Sequence, residues 1–199
     1  MTIIGITGPT GAGKTTALNE LEKLGGVIID CDAVYHGLLK SDMTLRSELE
    51  NRFGVLTDEN GVFDRKKLGA VVFHDPAALA DLNAIAHRHI VKAVKDILAK
   101  AEQDEIPAAA IDAIALFESG LAELCHATVA ITAPAHIRVE RIMAREGISR
   151  EYAQSRVNAQ NPEEFYTSRC GHTLCNDCAS AQEFGERARQ LFSRLLFGE

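Results

Sequence analysis

One short stretch near the start constrains this chain more than any other. Gly8-Pro9-Thr10-Gly11-Ala12-Gly13-Lys14-Thr15 satisfies every fixed position of G-x-x-x-x-G-K-[ST]. Ile3, Ile4, Ile6 and Thr7 precede it as a β-branched run of the kind a buried strand requires. Leu18, Leu21 and Leu24 follow at helical spacing with polar residues between them. Strand, glycine-rich turn and amphipathic helix in that order make a cradle for phosphate oxygens. The glycines open backbone conformations closed to residues with a Cβ, so amide N–H groups can turn inward. The helix start adds unpaired N–H groups and partial positive charge. Gly8, Gly11, Ala12, Gly13, Lys14, Thr15 and Thr16 are therefore the candidate nucleoside-triphosphate ligands. Lys14 reaches the β- and γ-phosphates, and the Thr15 hydroxyl takes Mg²⁺.

The rest of the composition narrows the class. The 199 residues suit one α/β core with a helical insertion. A net charge of −7 argues against a basic nucleic-acid-binding surface. No 18-residue apolar run and no charged-then-apolar leader occur, so neither a membrane span nor a signal peptide is expected. The five cysteines are odd in number and accompany an intracellular motif. A reducing cytoplasm without a disulfide framework is the expected setting.

Along the chain, Gly25-Gly26 should stop the first helix near Leu24, and Val27-Ile28-Ile29 should form a second strand closed by Asp30-Cys31-Asp32. Helical patterning begins at Ala33. Residues 42–103 show no convincing strand beyond the neighbourhood of Val55, and a turn is expected at 58–61. Asp64 should cap a helix over 65–73, and Asp75-Pro76 should start a long one. This helical block is the expected substrate-binding insertion, set into a core of about 1–41 and 104–199. A third strand is expected over 107–116, against the helix propensity of its alanines. ATVAIT, ending at Thr132, reads as the fourth, and 172–176 as a short edge strand. A helix opened by Pro134, another capped by Ser149 and a terminal one over 179–197 complete the pattern. Alternating strands and helices give an α/β fold of P-loop NTPase type: a parallel sheet flanked by helices, with an arginine-bearing helical lid at about 138–165.

Several side chains could carry chemistry. Asp30 and Asp32 end the second strand, where ligands sit in open parallel sheets. Transfer of a phosphoryl group to a hydroxyl needs a carboxylate that accepts or orients the proton; Asp32 is the candidate, with Asp30 as a metal or supporting group. Asp112 in the third strand is the candidate Mg²⁺-facing carboxylate, and Glu118 a contact for substrate or bound water. Arg141 and Arg145, four residues apart after the fourth strand, share a helix face and read as arginines closing over phosphate. His87 in the insertion is a candidate substrate contact. Cys170, His172, Cys175 and Cys178 offer four soft ligands suited to zinc. A strand there would point His172 and Cys175 to opposite faces, which opposes that reading.

These residues together resemble the dephospho-coenzyme A kinase family over nearly the whole chain. The resemblance is carried by GPTGAGKTT, the Asp30-Cys31-Asp32 pair, Phe63-Asp64-Arg65, LNAIAH ending at His87, ALFESGL around Glu118, and the stretch from Arg141 through Gln160. Asn176 matches an asparagine that the family carries near its last strand. The resemblance implies ATP-dependent, Mg²⁺-supported phosphorylation of the ribose 3′-hydroxyl of dephospho-coenzyme A. It implies Asp32 as base, Lys14 as phosphate lysine, Arg141 and Arg145 in the lid, Asn176 at ATP, and Arg65 and His87 in the substrate-binding helices. Departures fall in the acceptor half: Arg88 where proline is usual, Ala113-Ile114-Ala115 where x-Pro-Leu is usual, and His36 where arginine is common. Another nucleoside or nucleotide kinase is the alternative, and a non-catalytic nucleotide sensor a further one. A guanine-reading Asn-Lys-x-Asp is absent from the chain.

Overall fold

Short apolar strands and the small residues between them build the sheet. The computed structural model describes residues 1–58 and 62–198. Strand β1 (Thr2–Thr7) leads through the glycine-rich loop into helix α1 (Lys14–Lys23). Strand β2 (Val27–Asp30) is followed by α2 (Cys31–Ser41), α3 (Met43–Phe53), α4 (Arg65–Val72) and the 28-residue α5 (Pro76–Gln103). Then come β3 (Ala108–Asp112), β4 (Ala127–Thr132), α6 (Ala135–Glu146), α7 (Arg150–Asn158), α8 (Glu163–Thr167), β5 (His172–Cys175) and α9 (Ala181–Phe197). The strand order is β2-β3-β1-β4-β5. β1 runs parallel to β3 and to β4, and β4 parallel to β5.

By backbone contacts the chain forms two compact units, Met1–Ile29 with Ala101–Glu199, and Asp30–Lys100. In the first, α1 and α9 pack through Ala17, Leu18 and Leu21 against Phe184, Ala188 and Phe192, over Ile4, Ile6, Val129 and Ile131 of the sheet. The alanines of β3 are completely buried, so tertiary packing overrides their helix preference. The sequence pattern carries this strand to residue 116. The structure ends it at Asp112: the Ala113 N–H still donates to the Ile6 carbonyl at 3.1 Å, and from 114 the chain coils into a turn.

The second unit is helical, and its core joins Leu39 to Leu45, Leu49, Leu56, Leu68 and Val72. The contacts of α2 group it here rather than with the 1–41 segment assigned to the core by sequence. Aspartates define its helix starts. Asp30, Asp42 and Asp64 cap α2, α3 and α4, and the Asp75 carboxylate accepts from the Ala77 and Ala78 amides of α5. The cap by Asp30 starts α2 at Cys31, ahead of the expected Ala33. Near Val55 an isolated antiparallel bridge pairs Thr57 with Phe63. The turn expected at 58–61 lies, from 59 onward, outside the described residues. The short α8 starts after Pro162 with Glu163 and Glu164 in its first turn. Among the described residues no helix is long and apolar enough to cross a membrane.

Phe192 is fully buried between α9 and the sheet. Phe192→Ala should lower unfolding free energy by about 3–5 kcal/mol. Urea denaturation, read as a shifted midpoint at unchanged slope, measures this.

Candidate active site

The glycine-rich loop leaves β1 at the carboxyl edge of the sheet, and packing dictates its composition. At Gly8 φ is +142°, and a Cβ would lie 2.0 Å from the Ile131 carbonyl oxygen of β4. At Gly13 φ is +105°, and a Cβ would lie 2.2 Å from Asn176 Nδ2. Neither position admits a side chain. Gly13 is also the N-cap of α1, and no side chain caps that helix. The helix N-terminus thus keeps the character of an anion site, a fit to phosphate that rests on the fold itself. Lys14, the first residue of α1, reaches back and donates from Nζ to the Gly8 carbonyl at 2.9 Å. Thr15 is exposed on the first turn, and Thr16 donates its N–H to the Gly13 carbonyl.

A second layer holds the loop from outside. Asn176, only 4% exposed, follows β5 directly. Its Nδ2 donates to the Ala12 carbonyl at 2.9 Å, its Oδ1 accepts from Arg141 Nη2 at 2.9 Å, and its N–H donates to the Thr132 carbonyl at 2.7 Å. Arg141 also donates to the Gly11 and Ala12 carbonyls. Arg138, one turn earlier on α6 and almost fully buried, donates from Nε to the Thr10 carbonyl at 3.0 Å and from Nη2 to Gln160 Oε1. Burial pulls its guanidinium below the usual arginine value, and Tyr166 and Glu163 oppose that pull. By sequence Arg138 belongs with Arg141 and Arg145 to the arginines of the lid helix; its burial against the loop is not legible there. Its three-residue spacing from Arg141 was the available signal, since that places both on one helix face. At the end of β4, Thr132 Oγ1 is buried and has no hydrogen-bond partner among the described residues.

The remaining arginines of the lid segment turn elsewhere. Arg145 pairs with Glu146 at 2.6 Å, Arg156 pairs with the same carboxylate, and Arg150 pairs with Glu140. The hydrogen bonds from Arg145 and Arg156 hold the Glu146 carboxyl below its usual range. Beneath them Val139 and Ile142 of α6 pack on Ala153 and Val157 of α7. Glu118 pairs with Arg169, whose guanidinium lies 4.0 Å from the centre of the Phe165 ring. Asp112 ends β3 in register with Ile6 of β1 and is half-buried.

The other predicted residues lie in the helical unit. Asp30 accepts from the Asp32 and Ala33 amides at 2.9 and 3.0 Å, and the Asp32 side chain is exposed on the first turn of α2. Arg65 opens α4 near Tyr35, whose hydroxyl burial pushes up in pKa and Arg65 pulls down. His87 is half-buried on α5. Its neighbour Arg88, which stands where the resemblance puts proline, pairs with Glu48 at 2.7 Å. His89 is held between Asp42 at 3.0 Å and Glu48 at 3.3 Å, a tie of α5 to α3.

The cysteines are all free thiols. Burial pushes the Cys125 thiol up to about 12, with Cys170 adding to it, and raises Cys170 and Cys178 as well. Among the described residues no group of three or more His, Cys, Asp or Glu is placed to hold a metal ion.

The family model described as dephospho-CoA kinase matches residues 2–182. The dephospho-CoA kinase of Thermobifida fusca is 34% identical over 194 residues, covering 96% of this chain and 95% of that one. That of Dehalococcoides mccartyi is 35% identical over 179 residues, covering 89% and 90%. A crystal structure from Thermus thermophilus superposes with a TM-score of 0.80 at 33% identity, covering 99% of this chain and 98% of that one.

Asn176→Ala removes the amide that joins Ala12 to Arg141. Leaving these buried partners unsatisfied should cost about 1–3 kcal/mol of stability. ATP affinity should fall by roughly tenfold as the loop loses its shape, an energy of about 1.4 kcal/mol. Denaturation and ATP titration by calorimetry read the two effects separately; unchanged affinity would detach Asn176 from the loop's function.

Proposed function

The chain belongs to the dephospho-CoA kinase family, and from that membership we propose how its residues divide the reaction. The activity is transfer of the γ-phosphoryl group of ATP to the ribose 3′-hydroxyl of dephospho-CoA, the final step of coenzyme A biosynthesis. The observation that carries the donor half is the braced loop from Gly8 to Thr15 at the uncapped start of α1.

Loop amides, with the N–H groups of Gly11, Gly13 and Thr15, cradle the phosphates, and Ala12 and Thr16, whose N–H groups donate to the Pro9 and Gly13 carbonyls, exchange these for phosphate oxygens. Lys14 exchanges the Gly8 carbonyl for a phosphate oxygen. Arg141, already against the loop, stabilises charge spreading over the transferred group, and Arg145 joins it by leaving Glu146. Arginines in such roles contribute about 10³–10⁵ in rate in related chemistry. Asn176 supports ATP binding by fixing the loop. Thr15 and Asp112 offer hard oxygen donors of the kind Mg²⁺ takes, with waters and phosphates completing its shell. When bound, Mg²⁺ neutralises charge on the β- and γ-phosphates.

On the acceptor side, Asp32 holds the ribose hydroxyl and accepts its proton as the bond to phosphorus forms. Its place in the chain, two residues beyond the end of β2, supports this role. Asp30 supports it by fixing the Asp32 amide. Arg65, His87 and Glu118 contact the substrate, Glu118 by exchanging Arg169. The helical segment serves as the substrate-binding insertion of one kinase domain, and the segment from α6 to α8 as its lid. The acid-rich chain and its free thiols support a cytoplasmic enzyme acting on a small molecule rather than on nucleic acid.

Assay of the purified enzyme with ATP and dephospho-CoA, against nucleosides and nucleoside monophosphates, tests the acceptor; turnover of dephospho-CoA alone is expected. Asp32→Asn should lower kcat by about 10²–10⁴-fold with ATP affinity unchanged. Near-normal turnover in that variant would remove Asp32 from its role.

A further inference from the structure

The carbonyls of Thr10, Gly11 and Ala12 each accept from a side chain of a distant element. The contacts differ in quality. Arg138 Nε reaches Thr10 at 3.0 Å and Asn176 Nδ2 reaches Ala12 at 2.9 Å, whereas Arg141 reaches Gly11 at 3.3 Å. The shorter bonds therefore fall on alternate peptides. In a trans peptide the carbonyl of one residue and the N–H of the next point in opposite directions, and among the described residues no peptide bond is cis. Drawing the Thr10 carbonyl to Arg138 turns the Gly11 N–H the other way. Drawing the Ala12 carbonyl to Asn176 does the same for the Gly13 N–H. The amide between them closes on the loop itself, since the Ala12 N–H donates to the Pro9 carbonyl at 3.3 Å. Gly11 and Gly13 are thus the loop amides aimed from outside.

The contact at Thr10 is firmly built. Arg138 is 7% exposed, a degree of burial that an arginine reaches when its donors are paired. Its Nη2 donates to Gln160 Oε1 just after α7, and the Gln160 N–H donates to the Val157 carbonyl at 3.3 Å. The planar fork of the guanidinium serves Thr10 and Gln160 together, which fixes its orientation. The loop also lies directly on this turn of α6. At Gly11 φ is +83°, and a Cβ would lie 3.0 Å from the Arg138 carbonyl oxygen and 3.1 Å from its Cα.

We propose that Arg138 is a positioning residue of the transfer reaction: by holding the Thr10 carbonyl it aims the Gly11 N–H at the phosphates of ATP, and Gln160 holds the guanidinium in that pose. This rests on the reading of the loop as the donor site of a dephospho-CoA kinase. Arg138 differs in this from Arg141 and Arg145, whose own charge meets the transferred group. It acts on ATP through one backbone amide. A donor oriented before the nucleotide arrives needs no reorganisation when it binds.

Calorimetry with ATP alone isolates the donor site from the acceptor. Arg138→Met keeps an unbranched apolar stem, removes both bonds and should weaken ATP binding roughly tenfold. Gln160→Ala changes a half-buried position, should keep its fold, and should weaken ATP binding by about threefold. Kinetics should show the KM for ATP rising in both while the KM for dephospho-CoA stays within about twofold. The direct readout is the backbone amide itself. In the wild type, added ADP should shift the Gly11 and Gly13 proton resonances and slow their hydrogen exchange. In the variants the Gly11 response should shrink, while that of Gly13, held by Asn176, persists. Loss of stability with unchanged ATP affinity and an unaltered Gly11 response leaves Arg138 with packing alone and overturns the proposal. Should Arg138→Met fail to fold, the same readouts on Gln160→Ala decide. A wild type that shows the amide responses yet does not phosphorylate dephospho-CoA overturns the kinase reading and retains the role of Arg138.

Discussion

The side-chain amide of Asn176 donates to the Ala12 carbonyl and accepts from Arg141 while almost wholly withdrawn from water. Loop, lid helix and last strand meet at that one group. A buried amide tolerates no vacant donor or acceptor, so each partner's position is fixed by the other two. Gly13 is part of the same constraint, since the amide occupies the space a side chain there would need. The loop is thus shaped by neighbours distant in sequence as well as by its glycines.

The arginines after β4 separate by helix face. Arg138 and Arg141 lie three residues apart and both meet loop carbonyls. Arg145, Arg150 and Arg156 are neutralised by Glu146 and Glu140. Exposed pairs of this kind add little stability. Their consequence is that much of the lid's charge is balanced locally, leaving the inner arginines to face the nucleotide side. In the helical unit a comparable economy operates: aspartates serve as caps, and Asp42 both caps α3 and receives His89.

Local patterns were legible in the sequence wherever one element's own residues decide its state. The glycine loop announces the turn and helix; Asp64 and Ser149 announce their helices; ATVAIT reads as the strand it is. Legibility failed where distant packing decides. Nothing within residues 107–116 says that the strand stops at Asp112, where its register with β1 ends. The same holds for the candidate site. Phosphate-loop residues follow from spacing alone, whereas the buried contact of Arg138 with Thr10, the pairing of Glu118 with Arg169 and the tethering of Arg141 by Asn176 require the folded chain.

The bond from Lys14 to the Gly8 carbonyl has a consequence for discrimination. The bond ties the lysine to its own loop, so little further ordering of that side chain is needed on binding. A newcomer must displace a neutral carbonyl from an ammonium group. A phosphate oxygen adds charge–charge attraction to the ammonium that a neutral carbonyl lacks, so the exchange favours phosphate, and an uncharged nucleoside gains no such attraction. The lysine's contact with the Gly8 carbonyl therefore tilts the loop toward anionic ligands.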